Sequence, residues 1–208
     1  MATYPNGQYI WDFLMSYFTN EYGVAGLMGN LYAESGLIEW RLQGDYTPPY
    51  SASANYTADV NDGSITEYTF VHDSKGYGLA QWTISSRKQA LYNFTMGSGY
   101  TIDNLDRQLE FLVNEIASNY PTVKYTLLNA TSVRQASDVV LHQYENPRVQ
   151  TEAVEIKRAN YGIDIYNTYS GSPPIPPIPP PSPSTGTSRK PLYLYTGKRF
   201  KRKKGLIL

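Results

Sequence analysis

Cysteine is absent from the sequence, which excludes a disulfide framework, a thiol nucleophile and a Cys-ligated zinc site. Histidine is almost absent: His72 and His142 stand far apart. Two scattered histidines are a poor basis for a metal site or a Ser-His-Asp triad, so no metal and no other cofactor is expected. No run of about 18 apolar residues occurs, so no membrane span is expected. The opening MATYPNGQYIWDF has no basic stretch ahead of an apolar one and does not read as a secretory signal. The Asn-x-Thr sequons at Asn55, Asn93 and Asn129 accordingly read as chance matches.

Acidic residues are missing from positions 189–208, where eight lysines and arginines fall. The remainder then holds ten cations against eighteen acids, a net charge of −8 hidden inside an overall balance of zero. Between the two regions lies GSPPIPPIPPPSPSTGTS, a composition that favours extended polyproline II and acts as a semi-rigid spacer. The expected map is one folded domain at 1–170, a proline-rich linker at 171–188 and a basic tail at 189–208 too short to bury its own core. With 41% hydrophobic residues the first part can build a core. Tyrosine is abundant, at 20 residues. Its flat ring and polar tip suit a surface that grips sugar rings, and equally a tyrosine-rich core.

Helical periodicity is clear at Ile10, Phe13, Leu14, Tyr17 and Phe18, and again at Val24, Leu27, Met28 and Leu31, with Gly23 expected to separate the two helices. Residues 36–82 change character. They are rich in turn residues, with β-favouring pieces at Ser64–Val71 and Tyr77–Trp82 that suggest a loose hairpin. Helices return at Ser85–Phe94, at Leu105–Ile116 behind an Asp103 N-cap, and from a Ser132–Gln135 capping box to about Tyr144. Asn146-Pro147 breaks that helix, and a last one spans Val149–Tyr169. The expected class is α+β: a mostly helical domain with a small β lobe inserted after the second helix.

Glu34 lies three residues after Leu31 and seven after Leu27, so it shares their inward face at the last turn before Gly36. Burial and the negative end of the helix dipole both disfavour an anion there. A carboxyl that keeps its proton near neutral pH is what cleavage of a glycosidic bond needs, because the leaving oxygen must be protonated. Spacing alone also fits a glutamate turned to solvent.

Gly29-Asn30, Glu34-Ser35-Gly36 and, about 40 residues on, Gly76-Tyr-Gly-Leu-Ala-Gln-Trp-Thr83 together resemble the phage tail lysozyme family. Arg87 and the Tyr144-Glu-Asn-Pro147 element add to the likeness, which covers about Ile10–Tyr169. The resemblance implies a lysozyme-like fold that cuts the β-1,4 bond between N-acetylmuramic acid and N-acetylglucosamine. It implies Glu34 as general acid and matches Gly78, Leu79 and Gln81 to the family's second motif; Ser35, Gly78, Gln81 and Trp82 are the residues expected at the substrate. Gln81 can also be a surface residue, Trp82 a core residue and Gly78 an ordinary turn. Glycan strands are then the substrate and the phage tail the location, with an endolysin in the host cytoplasm as the alternative.

A second carboxyl is not singled out. Retaining glycosidases hold two carboxyls about 5 Å apart and inverting ones roughly 6.5–9.5 Å apart. Asp73, at the expected hairpin tip, is the preferred partner, ahead of Asp62 and Glu67, with Asp45 and Asp59 also in the segment. Related lytic transglycosylases use one glutamate, so that outcome stays open. Glu145 reads as structural, His142 as a helix residue and His72 as a loop residue. The basic tail suits a polyanion such as teichoic acid, or a virion tail protein. Nucleic acid is not the expected partner, since it would leave the Glu-Ser-Gly motif unexplained. A sugar-binding or structural module without chemistry is the contrasting reading.

Overall fold

The computed structural model describes residues 4–181. In chain order the helices are α1 (Gly7–Phe18), α2 (Glu21–Ser35), α3 (Ser51–Asn61), α4 (Glu67–His72), α5 (Ser85–Phe94), α6 (Leu105–Asn119), α7 (Pro121–Asn129), α8 (Val133–Val139) and α9 (Glu152–Tyr169). A π-helical stretch, Val140–Glu145, continues α8. The basic tail lies outside the described residues.

The expected β lobe is not there. Among the described residues the only strand-like pairings are the isolated bridges Leu42–Tyr77 and Tyr77–Trp82. The α+β reading is therefore corrected to a helical fold. The reason is local. Thr66 accepts a hydrogen bond from the Thr69 amide, and Glu67 sits in the first turn, where the helix dipole favours an anion. These features turn Glu67–His72 into α4 despite its β-favouring residues, whose preference depends on context. The Tyr77–Trp82 piece is a buried loop, pinned by Gln108, which accepts from the Leu79 amide and donates to the carbonyls of Glu39 and Ile102.

α2 is the central element, buried without a break from Gly23 to Leu31. α1, α7, α8 and α9 pack around it. Backbone contact sets its distance from α9: a Cβ on Gly29 would stand 2.5 Å from the Gly162 nitrogen. Gly23 therefore does not separate helices. It lies inside α2 against the Leu127 carbonyl, and the break falls at Thr19 and Asn20, whose side chain caps α2. A second cluster, Tyr56, Phe70 and Tyr77, packs α3 and α4 at ring separations of 5.6–6.3 Å.

Candidate active site

An open cleft of about 750 Å³ runs along the C-terminal end of α2. Glu34 and Ser35 come to it from α2, Arg41 and Gln43 from the following loop, and Gln81 from the buried loop. Arg87 comes from α5, Glu145 from the end of the π-helical stretch, and Lys157, Arg158 and Tyr161 from α9. Asp73, Gly78 and Trp82 do not line it.

Glu34 points into the cleft and forms an ion pair with Arg158. Arg158 also donates to Asn30 Oδ1 at 3.2 Å. Asn30 is fully buried, and its amide donates to the carbonyls of Gly26 and Ser137 and to the Ser137 hydroxyl at 3.0–3.1 Å. One asparagine thus ties α2 to α8 and holds the arginine that holds Glu34. The Gly29-Asn30 pair gains a physical meaning: the glycine admits α9, and the asparagine fixes what α9 brings. The bracing roles of Asn30 and Arg158 do not stand out in the sequence, because Arg158 lies 124 residues from Glu34 and no local pattern marks it.

Ser35 is buried and donates to the Leu31 carbonyl at 3.1 Å, an interaction that closes the helix end. Gln81 has a left-handed backbone (φ 47°) and lines the cleft. Its amide nitrogen donates to the carbonyls of Arg41 and Gly78, so it braces the cleft wall. Gly78 (φ 78°) has no room for a Cβ, which would meet Gln108 Oε1 at 2.7 Å.

Trp82 is fully buried, and its Nε1 donates to Glu115 Oε2 at 3.1 Å. Glu115 also accepts from Arg87 Nε at 2.6 Å, from Arg87 Nη2 at 2.8 Å and from the Tyr144 hydroxyl at 2.7 Å. Burial pushes Glu115 up, but the Arg87 guanidinium and the Tyr144 and Trp82 donors outweigh it, and the net direction is down.

Asp73 sits elsewhere. It accepts from the Lys88 ammonium at 2.6 Å and from the Tyr56 hydroxyl. Asp45, Asp59, Asp62 and Glu67 do not line the cleft either. His72 stacks on Tyr68, and His142 bonds Gln150 and Glu155, both outside the cleft lining.

The carboxyl that joins Glu34 in the cleft is Glu145. Its Oε1 is sealed from solvent and meets no hydrogen-bond partner among the described residues. Burial, and after it the facing Glu34 anion, push Glu145 up from its ordinary value to about 8; Arg87 and Arg158 pull the other way, and Glu115 adds to the rise. The sequence marks the Tyr144–Pro147 element only through its family likeness; periodicity and spacing around Glu145 single out no role for it.

Fold and cleft together define a class: a helical domain whose site is built from carboxyls and their arginine partners. The family model described as phage tail lysozyme matches residues 5–169, and the chain belongs to that family. Membership implies a phage protein of the lysozyme kind, with peptidoglycan as its substrate and the virion tail as its setting.

Proposed function

We propose that the protein is a muramidase-type glycosidase that cuts the β-1,4 bond between N-acetylmuramic acid and N-acetylglucosamine, with Glu34 as general acid. The observation that carries this reading is the placement of Glu34. It ends a buried helix, projects into an open cleft, and is held in place by Arg158 and Asn30. A glycan entering the cleft meets Arg41, Arg87, Lys157 and Arg158, cations suited to the carboxylates carried by peptidoglycan. Tyr46, exposed at the rim, offers a ring face to a sugar.

Turbidity loss of purified Gram-positive walls tests the assignment. Glu34→Gln keeps the shape and removes the transferable proton. Clearing by the wild type and a rate about 10²-fold lower in the variant are expected, the scale of a lost general acid. Equal clearing by both would remove Glu34 from its role. Binding without clearing by either would make the protein a wall-binding module.

One observation favours a lytic transglycosylase outcome over hydrolysis. The only carboxyl beside Glu34 among the described cleft-lining residues is Glu145, whose Oε1 is sealed from solvent and so is poorly placed to activate a water, whereas attack by the muramic acid 6-hydroxyl needs no second carboxylate. Mass spectrometry of the fragments decides: reducing ends for hydrolysis, 1,6-anhydro ends for transglycosylation. The basic tail is assigned to anchoring, on teichoic acid or on a virion tail protein. Retention on walls that falls steeply with salt, and falls further when teichoic acid is stripped, is expected for the first anchor.

A further inference from the structure

The two arginines beside Glu145 are both committed elsewhere. Arg87 grips Glu115 through two nitrogens, and Arg158 is shared between Glu34 and Asn30. A carboxylate kept for structure alone would be expected to hold one of them. Instead Glu145 reaches the cleft wall with one oxygen sealed and unpartnered. It sits where a π-helical stretch meets Asn146 in a left-handed conformation (φ 43°) and Pro147. π-Helical turns are rare and occur often at functional sites. Arg41 and Lys157 also line the cleft, but neither is among the groups that act on Glu145, which are the anions Glu34 and Glu115 and the cations Arg87 and Arg158.

We propose that Glu145 is the proton-holding partner of Glu34, a positioning residue that keeps one exchangeable proton in the free protein and passes it to Glu34 when a glycan displaces Arg158. This rests on Glu34 being the general acid. In the transfer the Glu145 O–H bond breaks and a Glu34 O–H bond forms. Arg158, no longer paired with the neutral Glu34, remains among the cations that act on the new Glu145 anion. Glu34 then gives the proton to the glycosidic oxygen as the C1–O bond breaks. The attacking water or muramic acid hydroxyl returns a proton to the pair as its oxygen bonds to C1. The charged groups facing Glu145 are Glu34 from α2, Arg87 from α5, Glu115 from α6 and Arg158 from α9.

The test uses the full chain with 13C-labelled glutamate carboxyls and the variants Glu145→Gln, Glu145→Asp and Glu34→Gln. A carboxyl resonance titrating near pH 8 is expected in the wild type. It should vanish in Glu145→Gln and move to lower pH in Glu34→Gln, where the facing anion is gone. The alkaline limb of the wall-clearing profile should fall by about one pH unit or more in Glu145→Gln and stay near its wild-type position in Glu145→Asp. The absence of any carboxyl titrating above about pH 6.5 would overturn the proposal. So would a Glu145→Gln profile with an unmoved limb and only a lower melting temperature. Because the resonance is read without activity, it judges Glu145 even if Glu145→Gln folds poorly. Equal clearing by Glu34→Gln and wild type would instead sink the general-acid reading.

Discussion

Lys88 is fully buried, with its ammonium on Asp73 Oδ1 and the Lys75 carbonyl and 4.2 Å above the Phe70 ring. Burial lowers its proton affinity, and Asp73 opposes that. Removing one partner of such a pair strands the other charge. Lys88→Met is expected to cost on the order of 3 kcal/mol, visible as a lower melting temperature. Asp73→Asn separates the catalytic role expected from the sequence from the anchoring role seen in the fold. An anchor predicts lost thermal stability with clearing retained in the cold, whereas a second catalytic carboxyl predicts lost clearing at every temperature. Glu145 carries a pH signature of its own. An acid whose folded state is raised from 4.5 to about 8 binds more protons folded than unfolded across that window. Its contribution is most favourable below 4.5 and falls as pH rises toward 8. Melting temperatures at about pH 5 and pH 8 should differ less in Glu145→Gln than in the wild type.

At the scale of elements, the crossing of α2 and α9 places the site. Gly29→Ala would push a methyl group into the α9 backbone. A loss of roughly 1–3 kcal/mol is expected for such overpacking, with clearing impaired even where the protein stays folded, because Arg158 moves away from Glu34. Denaturant unfolding and wall clearing measured together check both parts. The periodicity of Leu27, Leu31 and Glu34 makes α2 and its inward face legible in the sequence itself. Gly23 misleads, because glycine often marks a break in sequence, whereas here it admits a neighbour's backbone. The N-cap of α6 shows a milder version: Asn104, not Asp103, accepts from the Arg107 amide, and Asp103 accepts from the Asn61 side chain instead. α4 is hidden by β-favouring residues that a capping threonine overrides. The pairing of Arg158 with Glu34, the brace from Asn30 and the role of Glu145 are not legible, since each depends on which helix lies against which.

For the whole molecule, the proline-rich stretch begins as part of the fold. Asn160 exchanges two hydrogen bonds with the backbone of Ile178, and Asn167 two with Ile175, all at 2.7–2.9 Å. Ile175 and Ile178 pack on the core, and the Ser172 hydroxyl donates to Glu21. The spacings match: seven residues of α-helix rise about 10.5 Å, and three of polyproline II about 9.3 Å. The double variant Asn160→Ala, Asn167→Ala should lose on the order of 2 kcal/mol of stability, read by thermal unfolding.

That strap runs back along α9, from Asn167 toward Asn160, and Lys157, Arg158 and Tyr161 at that end face the cleft. A tether acts from its pivot as much as through its length. If the far end of the chain is anchored as proposed above, the pivot beside the cleft mouth sets the distance from anchor to mouth by the strap's exit point rather than by the length of the domain. On that reading the glycan within reach lies close to the point of attachment, and a narrow local opening of the wall is the expected lesion.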